Sequence, residues 1–130
     1  MIITESGNEK YMTQVSNGLA NIIADTAHAG DSGEEYFRPH DLLCAAFASC
    51  LNITIRMVLE RMNLNYEKVI VKVNVNRDQE NSTVFLYQAE IIGDIEDSTK
   101  EAVISKALNC PVRKTLSKNI SFQPMSQETT

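Results

Sequence analysis

After Pro39 the chain runs to Met62 without another proline or glycine, and from Leu42 to Leu51 it carries no charge on any face. Pro39 suits the first position of a helix, where its missing N–H would have had no partner. One long helix is therefore predicted from Pro39 to about Met62. Arg56, Glu60 and Arg61 enter only in its second half. The first half is thus expected to be buried nearly all round and the second to be amphipathic. A helix of that kind needs cover on several sides, more than one small sheet supplies. The uncharged run is well short of the roughly 20 residues that cross a bilayer, so it reads as the buried segment of a soluble protein with no membrane partner.

Turn signals divide what comes before. Gly7-Asn8 and Asn17-Gly18 separate two expected strands, Tyr11 to Val15 and Leu19 to Asp25, and Asn-Gly is the strongest short hairpin dipeptide because both residues accept positive φ. The glycine-bearing polar stretch Gly30 to Glu35 is expected to be a loop. Beyond the helix, Val69, Val71, Val73 and Val75 alternate with Lys72, Asn74 and Asn76, the period of a strand with one wet face. A second strand, Thr83 to Ile92, follows a turn at Asp78 to Ser82, and the two are expected to form an antiparallel hairpin. Ser98 with Glu101 three residues on has the pattern of a capping box, opening a helix to about Leu108. Asn109-Cys110-Pro111 should break it and start a helix of one or two turns. Ile120 to Phe122 is a candidate last strand, and the polar tail from Ser126 to Thr130 offers little to bury.

A length of 130 residues with 43% hydrophobic content suits one domain, 1–130, with one modest core. Acidic residues outnumber basic ones by 17 to 12, and no block of Lys or Arg offers a footprint for a phosphate backbone, so no nucleic-acid partner is expected. Met1 to Ser6 lacks a basic region followed by an apolar stretch, which argues against a signal peptide and for a cytoplasmic location. In a reducing compartment the three cysteines, Cys44, Cys50 and Cys110, do not read as a structural disulfide framework. They are core fillers, metal ligands or redox groups. There is no CxxC, and His28 and His40 fall in no recognised ligand spacing, so neither a metal nor a cofactor is expected.

Cys50 shares a helical stripe with Leu43, Phe47 and Thr54, so its sulfur points where core residues point, and packing alone would account for it. Cys110 stands directly before a proline at a helix start. Free backbone N–H groups and the dipole favour an anion there, lowering a thiol pKa, and Arg113 and Lys114 in the next turn could add to the effect. The alternative is a small cap with no reactivity. Cys44 lies six residues before Cys50, about 120° around the helix, and is assigned to the core.

The run Arg38-Pro39-His40-Asp41-Leu42-Leu43-Cys44-Ala45-Ala46-Phe47-Ala48-Ser49-Cys50 resembles the OsmC/Ohr family, whose central helix begins with a proline, carries Leu-Leu and alanine-rich residues, and reaches a cysteine. Cys110-Pro111-Val112-Arg113-Lys114-Thr115-Leu116 resembles that family's second motif. The two stand in the family's order and the resemblance covers nearly the whole chain. It implies an α+β fold, antiparallel sheets around a long buried central helix, in an intertwined homodimer. It also implies thiol-dependent reduction of an organic hydroperoxide or hydrogen peroxide: Cys50 attacks the O–O bond and becomes a sulfenic acid, Cys110 condenses with it to a disulfide, and an external dithiol, dihydrolipoyl in some members, restores both thiols. In the family's hydroperoxide reductases an N-terminal arginine and a glutamate just after the proline surround the reactive cysteine. Here residues 1 to 37 hold no arginine, His40 follows Pro39, and Asp41 comes one place later. Arg38, His40 and Asp41 are the candidates for the altered network. The alternative function is a dimer that binds a small apolar or thiol-containing ligand and has weak or no peroxidase activity.

Overall fold

The computed structural model describes residues 1–126. Eight elements follow one another: β1 (Ile3–Ser6), β2 (Thr13–Ser16), β3 (Asn21–Ala24), α1 (Pro39–Arg61), β4 (Lys68–Asn76), β5 (Val84–Ile92), α2 (Asp97–Ala107) and α3 (Pro111–Leu116). The described residues fall into two compact units, 1–48 with 72–88, and 49–71 with 89–126. Helix α1 and the β4–β5 pair contribute to both.

In the first unit, β1, β2 and β3 form an antiparallel meander, with Thr4 opposite Val15 and Val15 opposite Ile22. Strand β1 was not foreseen, because Met1 to Ser6 has no clean alternation. The Gly7 turn is as expected, closed by Gly7 N–H donating to the Met12 carbonyl at 2.7 Å. The Asn17-Gly18 turn is tight but shifted by one residue: Asn17 N–H donates to the Ala20 carbonyl at 3.2 Å, which leaves Gly18 and Leu19 as the loop. Gly18 has positive φ, 96°, and the Asn17 side chain accepts the N–H groups of Leu19 and Ala20 at 2.9 and 2.8 Å.

The loop after β3 returns to its own start. Ala24 bridges Phe37, and Asp25 N–H donates to the Phe37 carbonyl at 2.9 Å. Gly33, with φ 68°, lies where a Cβ would stand 2.4 Å from the Thr26 carbonyl carbon, so only glycine lets the loop close. This closure delivers Arg38 and Pro39 to the start of α1. In the same unit Phe47 is buried, its ring edge-on to Phe85 at 6.2 Å and to Tyr87 at 5.8 Å.

Leu51, Ile55 and Leu59, at successive four-residue steps, are fully buried in the second unit with Val103, Ala107, Ile91 and Cys110. Arg56, Glu60 and Arg61 are exposed, so the second half of α1 is amphipathic as expected. By length and hydropathy α1 could cross a bilayer, but this division into a buried stripe and a charged face is that of a core helix. Strand β4 turns Val69, Val71, Val73 and Val75 inward and leaves Lys72, Asn74 and Asn76 in solvent. Asn52 Nδ2 donates to the Val69 carbonyl at 3.0 Å, tying α1 to the base of β4.

Within one chain the first half of α1 buries Phe47 and Leu51 and leaves Leu43, Ala46 and Ser49 exposed. Two expectations fail. The capping box at Ser98 does not form: α2 begins at Asp97 with Glu96 as N-cap and no side-chain cap bond, which places Ser98 and Glu101 inside the helix. Ile120 to Phe122 is irregular and exposed rather than a strand. The tail expectation reaches only Ser126, because residues 127–130 lie outside the described residues.

Candidate thiol site

Cys50 sits in the continuous turn of α1, half-buried, one residue before the fully buried Leu51. Thr54 Oγ1 donates back to the Cys50 carbonyl at 2.7 Å, a bond that locally bends a helix. The chain between α2 and α3 brings the second cysteine to the first. Leu108 still donates to the Ile104 carbonyl, then Asn109 leaves the helix and Cys110 takes an extended conformation (φ −66°, ψ 159°) as N-cap of α3, with Pro111 in the first turn. The side chain of Cys110 is 1% exposed and interacts directly with the Cys50 thiol. The two sulfurs that the sequence separates by sixty residues are thus neighbours in the second unit.

Their environments differ from those expected. Cys110 was to be the activated thiolate at a helix start. Instead burial pushes its thiol above the ordinary value, the hydrogen bond and charge of Cys50 push the same way, and the backbone N–H groups of Arg113 and Val112 only partly oppose this. No side-chain cap bond forms at Cys110. Arg113 is occupied with the Leu108 carbonyl at 3.2 Å. The Val112 N–H also reaches the other sulfur, donating to Cys50 Sγ at 3.4 Å. Cys110 is thus held as a protonated thiol beside a Cys50 sulfur that accepts a backbone hydrogen bond.

Arg38, His40 and Asp41 belong to the first unit and are all exposed. Arg38 is the residue before α1, and its N–H is taken by Asp41 Oδ2 at 2.9 Å, the reciprocal half of a capping box. Its guanidinium donates to the Ser32 carbonyl at 2.8 Å. Asp41 also raises the pKa of the Cys44 thiol, although burial there is the larger cause. The loop gathers a group the spacing rules passed over: Asp25, His28 and Asp31 place their ligand atoms within 4.8 Å of one another, with His28 Nε2 3.7 Å from Asp31 Oδ2. Asp25, the buried member, accepts the Thr26 N–H at 2.8 Å.

Sequence reading missed the Val112 N–H, and its signal was present. Pro111 has no N–H, so Val112 is the first residue of that turn with a donor, and no carbonyl stands four residues back to receive it.

The fold is shared with solved structures. An OsmC-like protein from Mycoplasma pneumoniae superposes with a TM-score of 0.73 at 15% identity, covering 89% of this chain and 85% of that one. An organic hydroperoxide resistance protein OsmC from Legionella pneumophila gives 0.61 at 22% identity, covering 92% and 90%. The organic hydroperoxide resistance protein OhrB of Bacillus subtilis gives 0.62 at 14% identity, again covering 92% and 90%. Comparison with curated protein sequences gives no match. The profile of OsmC-like proteins matches residues 30–124, from the loop before α1 to beyond α3, and the chain belongs to that family.

Proposed function

We propose that this protein reduces an organic hydroperoxide or hydrogen peroxide with the Cys50–Cys110 thiol pair. The observation that carries the reading is the pair itself, a buried Cys110 thiol beside a Cys50 sulfur that receives a backbone hydrogen bond. Cys50 thiolate attacks one peroxide oxygen, the O–O bond breaks, and the alkoxide leaves with a proton as alcohol, leaving Cys50 as sulfenic acid. Cys110 then attacks the Cys50 sulfur, expelling water and forming a disulfide. A small external dithiol returns both cysteines to thiols and becomes a cyclic disulfide. No cofactor or metal enters these steps. Two named neighbours of the fold are hydroperoxide resistance proteins.

Arg38 is the cation offered by the start of α1. It spends one donor on Ser32 and would offer others to a peroxide oxygen, while His40 and Asp41 shape that turn. The catalytic assembly is a homodimer in the cytoplasm, where thiols stay reduced. Its interface includes the uncovered face of α1, on which Leu43, Ile53 and Met57 are 44%, 44% and 49% exposed.

A second reading has its own support. A groove of about 570 Å³ lined by Ile22, Ile23, Tyr36 and Phe37, with Glu34 and Asp41, is open in the first unit and suits a small apolar ligand. Stopped-flow consumption of cumene hydroperoxide by reduced protein separates the two. Rapid stoichiometric consumption that Cys50→Ser abolishes supports the reductase; none leaves the binding protein.

A further inference from the structure

We infer that the loop between β3 and α1 carries a divalent-metal site, built from Asp25, His28 and Asp31 and suited to zinc or a similar transition ion. It lies in the first unit and is independent of the thiol-pair reading. Each of the three residues offers one ligand atom, and these atoms lie within 4.8 Å of one another. His28 Nε2 stands 3.7 Å from Asp31 Oδ2, near the separation of about 3.4 Å between two ligands of a tetrahedral zinc held at about 2.0–2.1 Å. An imidazole with two carboxylates is the donor set of a transition ion, since calcium and magnesium take oxygen ligands. Three protein ligands leave the fourth position to water.

Asp25 supplies a second, independent reason for a cation here. It is 6% exposed, and a carboxylate that deep needs a counter-charge or several donors. It accepts one side-chain hydrogen bond, on Oδ1 from the Thr26 N–H of its own turn, and its other oxygen has no partner among the described residues. No Lys or Arg among them forms an ion pair with it. A divalent ion shared with His28 and the exposed Asp31 provides that charge. The backbone holds the two outer ligands in register: His28 and Asp31 exchange N–H to carbonyl bonds of 2.9 Å each, with Gly30 at φ 82° in the turn between them. Asp31 Oδ1 accepts the Gly33 N–H at 2.9 Å, which leaves Oδ2 for the His28 side. Tyr11 packs edge-on to the His28 ring at 5.6 Å and fixes its plane. An ion bound there would tie the end of β3 to the loop that leads into α1.

The imidazole itself is the readout, because the chain holds two histidines, His28 and His40. Fully reduced, nitrogen-labelled full-length protein is titrated with zinc chloride while long-range proton–nitrogen spectra follow both rings, and His40→Gln identifies the His28 signals. Zinc taken up by the cysteines alone leaves those signals where they were, so the thiols do not mimic the result. His28 Nε2 is expected to shift saturably to a metal-bound position while His40 stays. The half-saturating zinc concentration should rise by about ten-fold or more in Asp25→Asn and in Asp31→Asn, since even the loss of a group that only orients a ligand weakens metal binding by about ten-fold or more. If Asp25→Asn, at its buried position, fails to fold, the exposed Asp31→Asn decides. A His28 ring that excess zinc leaves unmoved, a shift at His40 instead, or an Asp31→Asn protein that half-saturates where the parent does would overturn the site.

Discussion

In the proposed dimer, Ile53→Asp should separate the protomers, with most of the folded structure lost as well. On α1 the residues Leu43, Ala46, Cys50, Ile53 and Met57 lie within about 80° of one another at 100° per residue. Leu43, Ile53 and Met57 leave close to half of their surface uncovered. Fully burying such a side chain is worth ~1.5–3 kcal/mol, so each has ~1 kcal/mol still to gain, ~3 kcal/mol per protomer and ~6 kcal/mol across a two-fold interface. A carboxylate at position 53 forfeits ~1 kcal/mol on each side and adds several kcal/mol for each charge taken from water without a partner. The sum exceeds the gain, and a dimer held at micromolar concentration cannot survive it. Obligate dimers often lack a stable monomer, so helical circular dichroism should fall together with the mass from light scattering. Ile53→Leu should keep both. A folded dimeric Ile53→Asp protein, or a folded monomeric parent at micromolar concentration, would refute the reasoning.

Ile55→Ala, at a fully buried position, should cost ~2–5 kcal/mol in urea unfolding; a loss below ~1 kcal/mol would show that the second-unit core can collapse around it. Cys110→Ser should permit one turnover and leave a Cys50 sulfenic acid that dimedone traps, and an unlabelled Cys50 after peroxide would contradict the order of the thiols. Burial raises the Cys110 pKa in the folded state, so folding favours the protonated thiol. That contribution is fully present below the unfolded thiol value of about 8.5 and is lost as pH rises through the folded value. Urea midpoints of the parent should therefore fall from about pH 8.5 upward more steeply than those of Cys110→Ala, and parallel curves would count against it. Asp41→Ala removes the carboxylate that caps the Arg38 N–H and should lower stability by ~1 kcal/mol in thermal melts, whereas Asp41→Asn should lose less.

Long-range pattern was legible in this sequence where one physical rule dominated. Pro39 and the absence of breakers placed α1 within a residue of its end, and alternating valines placed β4 with its inward face. The hairpin partner and α3 followed from turn chemistry and from Pro111. Local capping was less legible, because Ser98 and Glu101 fit a box that does not form: α2 starts at Asp97, two residues before such a box would start it, with Glu96 as N-cap. Strand β1 has all four residues exposed, and a strand without a buried face leaves no periodic trace. The two motif cysteines were identifiable by family resemblance, but their electrostatic roles were not. Helix-start logic made Cys110 the anion, while the fold buries it and brings the Val112 amide 3.4 Å from the Cys50 sulfur. Which sulfur an N–H meets depends on a contact across sixty-two positions, and no local rule contains it.

The most direct test of the thiol-pair account is the mass of fully reduced protein after one equivalent of cumene hydroperoxide, with peptide mapping of the product. The account predicts a mass lower by about 2 Da, the two hydrogens lost on forming one disulfide, and a crosslinked peptide joining Cys50 to Cys110 within a chain. An unchanged mass, or a bridge that uses Cys44, would contradict it.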